Sequence, residues 1–334
     1  MAVNPVRASR RSATVLITTL TATTVTDPDE LRDRLLGRCS FPPPGTPLDC
    51  AVSGGADSLA LLVLATAAGC RVTAWHVDHG LRPGGAAEAD LVGAAASRYR
   101  AAFRPVRVEV APGPNLEARA RAARRAALPP GVCTGHTADD QAETVLLALL
   151  RGAGLDGLGG MGAHRHPLLG LRRAETVALC RAEGLHPVED PTNRDPAIRR
   201  NRVRHELLPL ASAIAQRDVV PVLARTAALL RGDAELLDAT GGALDPTDAR
   251  ALTGAPPAAA RRAVRAWLTA AAPPGAPPYP PSAAAVDRVL AVARGDATAC
   301  QVAGIGRVTR SRQRLRIEPP PAPAAGVRPA DVHQ

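Results

Sequence analysis

The run Ala51-Val52-Ser53-Gly54-Gly55-Ala56-Asp57-Ser58 joins a short apolar stretch (Leu48, Cys50, Val52) to a second one (Leu59, Leu61, Leu62, Leu64) through a glycine-rich turn. Strand, turn and amphipathic helix in that order aim free backbone N–H groups and the positive end of a helix dipole at one point. Such a point binds phosphate. A Walker A loop would add a lysine that reaches the β- and γ-phosphates, and this chain contains no lysine at all. Backbone amides, the Ser53 and Ser58 hydroxyls, arginines and a metal ion must therefore do the neutralising. An ordinary tight turn uses the same residue types, but here the flanking runs stand where a phosphate cradle needs them. The expected cradle is Ser53, Gly54, Gly55, Ala56, Asp57 and Ser58.

Two further groups carry chemistry. Trp75-His76-Val77-Asp78-His79-Gly80-Leu81-Arg82 ends another apolar run, with His76 and Asp78 on one strand face and His79 already in the turn. A strand end lining a nucleotide crevice explains these residues with fewer assumptions than a transition-metal site. The third group, Gly135-His136-Thr137-Ala138-Asp139-Asp140-Gln141-Ala142-Glu143-Thr144, passes into the apolar run Val145–Leu150 and then Arg151-Gly152. Thr137 or Asp139 would serve as a helix cap, with Asp140 and Glu143 favourable in a first turn. Capping accounts for one acid, not for three beside a histidine. Asp57 and Asp139 or Asp140 are expected to hold Mg²⁺ on a departing pyrophosphate while another acid orients a nucleophile.

The elements that must position these groups alternate. Strands are predicted at 48–52, 71–77, 104–110 and 131–135, and helices near 57–68, 86–100, 115–127, 138–150 and 172–184. That is the pattern of an α/β fold, a parallel sheet with crossover helices, whose ligands sit beyond the carboxyl ends of the strands. After about residue 212 helical patterns take over near 217–239, 258–271 and 283–294, broken by proline clusters at 256–257, 273–281 and 319–323. The alternation at 299–317 predicts a small hairpin turning at Gly304-Ile305-Gly306. The expected organisation is a disordered extension (1–28), a catalytic domain (29–212), a smaller, mostly helical region (213–318) and a disordered tail (319–334).

Composition narrows the function classes. Lys+Arg 41 against Asp+Glu 31 gives +10 over 334 residues, a balance that suits a polyanionic partner. The six cysteines (Cys39, Cys50, Cys70, Cys133, Cys180, Cys300) form no Cys-x-x-Cys pair, which argues against a disulfide framework, a zinc ribbon or an iron–sulfur centre and fits a reducing cytosol. Arg7, Arg10 and Arg11 before Val15-Leu16-Ile17 only faintly imitate a signal peptide, and no other run approaches a membrane span.

Ser-Gly-Gly-x-Asp-Ser after a strand resembles the pyrophosphate loop of the N-type ATP pyrophosphatases. Together with His76–Arg82, Asn115-Leu116-Glu117-Ala118-Arg119, Gly135–Thr144, Arg151-Gly152, Pro167-Leu168-Leu169, Asn193 and Arg200-Asn201-Arg202-Val203-Arg204, it resembles the tRNA(Ile)-lysidine synthetases over about residues 48–210. The histidine–aspartate–histidine–glycine block and Gly-His-x-x-Asp-Asp-Gln-x-Glu-Thr are the narrow part of the match. The C-terminal part resembles the family loosely, and Arg125 stands where the family usually carries a tyrosine.

The resemblance implies an adenine nucleotide α-hydrolase-like PP-loop domain acting with ATP and Mg²⁺. It implies adenylation of C2 of the wobble cytidine in the CAU anticodon of tRNA(Ile), then attack by the amine of free lysine, in the cytoplasm. Asp57, Asp139, Asp140, Glu143 and His136 are the expected catalytic residues, with Asp57 and Asp140 on the metal. Glu117, Arg119, Arg151, Asn201, Arg202 and Arg204 are expected to face the tRNA. A tRNA cytidine thiolase or a small-molecule amide ligase of the same fold are the competing readings. The first would need paired cysteines, and the second would leave the arginine excess idle.

Overall fold

A computed structural model describes residues 27–78, 80, 85–108, 116–273 and 281–319. The expected terminal segments fall almost wholly outside these residues, as do Asn115 and, within the His76–Arg82 block, His79, Leu81 and Arg82.

The chain opens on α1 (Pro28–Leu36), for which the sequence reading names no element. Its signature is plain once seen: Asp27 caps it, accepting from the Asp29 N–H at 2.9 Å, and Pro28 fills the first turn, where no donor is needed. Four parallel strands follow: β1 (Pro47–Ala51), β2 (Arg71–Asp78), β3 (Ala102–Arg107) and β4 (Cys133–Thr134), in the order β3-β2-β1-β4. Helices α2 (Ala56–Ala67), α3 (Gly85–Arg98) and α4 (Leu116–Ala126) make the crossovers. This is the expected α/β architecture, with the third and fourth strands shorter than predicted. β3 contains Pro105, which has no N–H to give and is tolerated because β3 lies at the sheet edge. From β1 the chain steps outward to β2 and β3, then returns to pair β4 on the other side. The order therefore reverses between β1 and β4, the crevice where open α/β sheets take their ligands.

Helix α2 departs from the amphipathic reading of its sequence. Every residue from Ser58 to Ala65 is buried, because α1 and α7 (Arg173–Ala182) cover the side that the sheet does not. Its leucines form the centre of a core shared with Leu35, Val52, Ala74, Leu168 and Leu179.

Between β4 and the C-terminal region lie α5 (Ala138–Leu150), α6 (Leu155–Leu158) and, after α7, α8 (Arg199–Arg202), a π-helical turn (Val203–Leu207) and α9 (Leu208–Ala215). The long α10 (Val220–Gly242) packs along α5 and leads to α11 (Ala249–Gly254), α12 (Pro257–Ala270) and α13 (Ala283–Arg294). Asp156 of α6 pairs with Arg262 and Arg265 of α12, tying the two regions together. The predicted hairpin is a three-stranded antiparallel sheet: β5 (Ala299–Val302), β6 (Gly306–Ser311) and β7 (Arg314–Glu318). The second turn escaped notice because Arg312 and Gln313 make it at φ 49° and 66°, where Asn-Gly is the usual signal. Its inner face, with Val308 and Leu315, seals a second core against α12 and α13. Among the described residues no single helix is long and apolar enough to cross a membrane.

Gly135 joins the sheet to the crevice. A Cβ on it would lie 2.3 Å from the Asp57 carbonyl oxygen, so only glycine lets β4 pass the start of α2. Gly135→Ala is therefore expected to cost about 1–3 kcal/mol of stability and to weaken ATP binding by shifting Asp57. A thermal melt and a nucleotide titration check both effects.

Candidate active site

β1 delivers the loop. Val52 continues the strand pairing by donating to the Trp75 carbonyl at 2.8 Å, and the chain then turns at Gly54, whose φ of 86° only glycine adopts without strain. Gly55 is the N-cap of α2. The Ser58 hydroxyl fixes the turn, accepting from the Ser53 N–H at 3.1 Å and donating to the Gly55 carbonyl at 2.8 Å; the Ser53 hydroxyl lies 3.3 Å from it. The Val188 N–H holds the Gly54 carbonyl at 3.0 Å. Ser53 to Ser58 thus surround a helix N-terminus at the β1/β4 switch point, where the spacing predicts a phosphate cradle.

Asp57, in the first turn of α2, meets the acids of α5 through arginines. Arg173 donates from Nε to Asp57 at 3.0 Å and from Nη2 to Asp140 at 2.7 Å, while its Nη1 lies 3.5 Å from Glu143. Arg200 reaches Glu143 at 2.5 Å and Asp140 at 3.2 Å, and Arg204 reaches Glu143 at 2.6 Å. The Glu143 side chain is 0% exposed, and these arginines compensate it for lost water. Asp140 closes a capping box as well, accepting from the Thr137 N–H at 2.9 Å. Burial alone would raise its carboxyl; Arg173, the Thr137 N–H and Arg200 outweigh burial and hold it at about 2. Asp57 goes the other way: burial raises its carboxyl despite Arg173 and the hydroxyl of Thr176.

Asp139 stands apart from this cluster. Arg172 grips both its oxygens at 3.0 Å and the Arg173 N–H adds a bond at 2.8 Å, so it anchors the start of α7, with its carboxyl held low against the effect of burial. His136 sits beneath the crevice with a partner the sequence reading does not name. The Thr134 hydroxyl is 2.6 Å from its Nδ1 and 2.7 Å from that of His166, and the two nitrogens are 3.2 Å apart. Burial and the neighbouring His136 push His166 down to about 4, so that ring is neutral at physiological pH.

The expected tRNA-facing residues separate. Arg119 is exposed on α4, Arg151 is exposed at the end of α5, and the Arg202 side chain is 62% exposed beside Glu206. Arg204 points inward to Glu143, and Asn201 is buried with its amide donating to the Thr192 and Asp195 carbonyls at 2.8 and 2.9 Å. Both amide hydrogens of Asn201 are thus committed inside the fold, and Arg204 spends Nε and Nη2 on Glu143. Glu117 lies in α4, its side chain outside the described residues. His76 is 2% exposed and donates from Nδ1 to the Val52 carbonyl at 2.9 Å, bracing the base of the loop. Among the described residues no group of three or more His, Cys, Asp or Glu side chains forms a ready-made metal site.

Comparison with known proteins assigns the chain. A family model described as a PP-loop domain matches residues 40–211, just over half of the chain, and a TilS substrate-binding domain model matches 248–316. The tRNA(Ile)-lysidine synthase of Nocardia farcinica is 47% identical over 65% of this chain and 74% of its own length. That of Rhodococcus erythropolis is 46% identical over 65% and 72%. The chain belongs to the tRNA(Ile)-lysidine synthase family. Among solved structures, the U34-tRNA thiolase NcsA from Methanococcus maripaludis superposes with a TM-score of 0.43 at 14% identity, over 62% of this chain and 78% of that one. In lysidine-synthase terms, the second match takes in α11 to α13 and nearly all of the small sheet, where the sequence alone shows only a loose likeness. Arg172, Arg173, Thr176 and His166 are the residues that motif reading overlooks. Arg172 and Arg173 do follow Pro167-Leu168-Leu169 after only Gly170 and Leu171, at a helix start where arginine is electrostatically out of place.

The Asp140 carboxyl gives this cluster a pH signature. Its folded value, about 2, lies below the unfolded value of roughly 3.9. Ionised Asp140 therefore stabilises the fold above pH ~4, and that contribution disappears as pH falls through ~2. Asp57, raised on folding, has the opposite sign and costs stability as it ionises. Urea unfolding between about pH 5 and pH 3 is expected to show a shallower loss for Asp140→Asn than for wild type.

Proposed function

We propose that this chain joins lysine to C2 of the wobble cytidine in the CAU anticodon of tRNA(Ile), using ATP and passing through an adenylated base. The observation that carries the reading is the meeting of the Ser53–Ser58 cradle with Asp57, Asp140 and Glu143 at the switch point. Family membership supplies the substrate class. Amides of the cradle and the Ser53 and Ser58 hydroxyls hold the phosphates, aligning the α-phosphorus for attack by the cytidine C2 oxygen. Mg²⁺ fits this donor set: it takes one or two carboxylates with waters and phosphate oxygens, and Asp57 and Asp140 lie within reach of a single guanidinium. Bound there, it supplies neutralisation of the departing pyrophosphate.

Lysine enters as an ammonium ion and must lose a proton before it attacks. Asp140 and Glu143 are the acids of the predicted trio that remain with the cradle, since Asp139 is committed to Arg172. His136, four residues before Asp140 and hydrogen-bonded to Thr134, orders the crevice floor. The exposed Arg119, Arg151 and Arg202 serve the tRNA backbone in a chain carrying +10. The sulfur-transfer alternative fares worse, because the six cysteines form no Cys-x-x-Cys pair and, among the described residues, no cluster of metal-ligating side chains. Burial pushes Cys39 and Cys180 up to about 12 and Cys50 well above its usual value, which leaves few thiolates at neutral pH. Six unpaired thiols also suit the reducing cytoplasm in which this chemistry would run.

Incubation with ATP, Mg²⁺, radiolabelled lysine and bulk tRNA is expected to put label into RNA, with AMP and pyrophosphate as the nucleotide products. ADP and phosphate, or unlabelled RNA, would contradict the proposal. Asp140→Asn should fold yet transfer lysine about a hundredfold more slowly or worse. The arginines split this test. Arg202→Ala should weaken tRNA binding and reduce its salt slope by about one, whereas Arg204→Ala should lower stability by taking one of the buried Glu143's cationic partners. Filter binding at several salt concentrations, beside melting curves, separates the two.

A further inference from the structure

The proposed metal ligands already have a cation. Both oxygens of Asp57 are engaged, one by Thr176 and the other by Arg173 at 3.0 Å. Both oxygens of Asp140 are engaged too: Oδ2 by the Thr137 N–H and hydroxyl, Oδ1 by Arg173 at 2.7 Å and Arg200 at 3.2 Å. A divalent ion that ligates both carboxylates would meet Arg173 on each, at 3.0 Å from Asp57 and 2.7 Å from Asp140. Thr137 belongs to the α5 cap and Thr176 is neutral, while Arg200 and Arg204 keep Glu143 in any case. Among the described residues, Arg173 is the cation that reaches both Asp57 and Asp140.

We infer that Arg173 and the divalent ion compete for the Asp57–Asp140 pair, and that the guanidinium displaced by the ion moves onto the ATP phosphates as a further catalytic residue. The inference rests on the metal reading of the preceding section. Three features support the exchange. First, the charges of Asp57, Asp140 and Glu143 are balanced by Arg173, Arg200 and Arg204, so a divalent ion added without expelling a cation would leave an uncompensated double charge in a half-buried cluster. Second, the Arg173 side chain is not sealed in. Its backbone is pinned at the start of α7 by Asp139, but its side chain is 27% exposed and faces the cradle through Asp57. Third, a planar guanidinium matches phosphate oxygens in a bidentate fork, so the triphosphate offers it partners as good as those it gives up. Metal and nucleotide then bind cooperatively, since each removes the cost that the other would meet alone.

Mn²⁺ titration of the full-length protein without nucleotide, read by the EPR signal of free Mn²⁺, tests this without any turnover. Arg173→Gln should bind Mn²⁺ at least about tenfold more tightly than wild type, and Asp57→Asn added to it should erase the gain. Arg173→Lys keeps one positive charge but offers a single point of contact to two acids, so it should fall between the two. This variant also decides the matter if Arg173→Gln does not fold. Equal Mn²⁺ affinity in wild type and the Arg173 variants overturns the exchange. If Asp57→Asn and Asp140→Asn in an otherwise wild-type chain leave binding of the Mn²⁺–ATP complex unchanged, the metal reading itself fails, and the two failures are thereby told apart.

Discussion

Three acids, two of them buried and the third half-buried, held against three arginines set the terms for the rest of this molecule. Asp57 comes from α2, Asp140 and Glu143 from α5, Arg173 from α7, and Arg200 and Arg204 from α8 and the π-helical turn after it. Ions taken out of water are stable only when every partner is present, because removing one leaves an uncompensated charge behind. The cluster thus obliges four separate stretches of chain to arrive together. The same obligation gathers carboxylates at a crevice where a phosphate-binding loop also opens.

The sheet makes that convergence possible. Reversal of strand order between β1 and β4 puts Ser53–Ser58 beside Gly135–Asp140, and the missing side chain at Gly135 lets the two segments touch. Asp140 shows how structure and chemistry share one residue. It caps α5 through Thr137 and balances Arg173 and Arg200 with its other oxygen, so capping does not use up its charge.

Local signals in the sequence were legible because they obey local rules. The phosphate loop follows from glycines and serines between a strand and a helix, and the four strands follow from apolar runs. Long-range charge pairing was not legible in the same way. Asp57 and Arg173 are 116 residues apart, and no spacing rule connects them. Arg204 illustrates the cost: within an arginine run it reads as a solvated or RNA-facing residue, yet helical geometry sends it inward to Glu143 while Arg202, two residues earlier, stays in solvent. Asn201 is turned inward by the same geometry. His166 was invisible for a related reason, since only the fold brings it to Thr134 and His136.

The account's central claim is that this crevice activates an RNA base, with the amine entering afterwards. Exchange of labelled pyrophosphate into ATP reads that order directly. The account predicts exchange that requires tRNA(Ile) and Mg²⁺ and proceeds without lysine. Exchange supported by lysine in the absence of tRNA would mean that the amino acid is the group adenylated, and would contradict it.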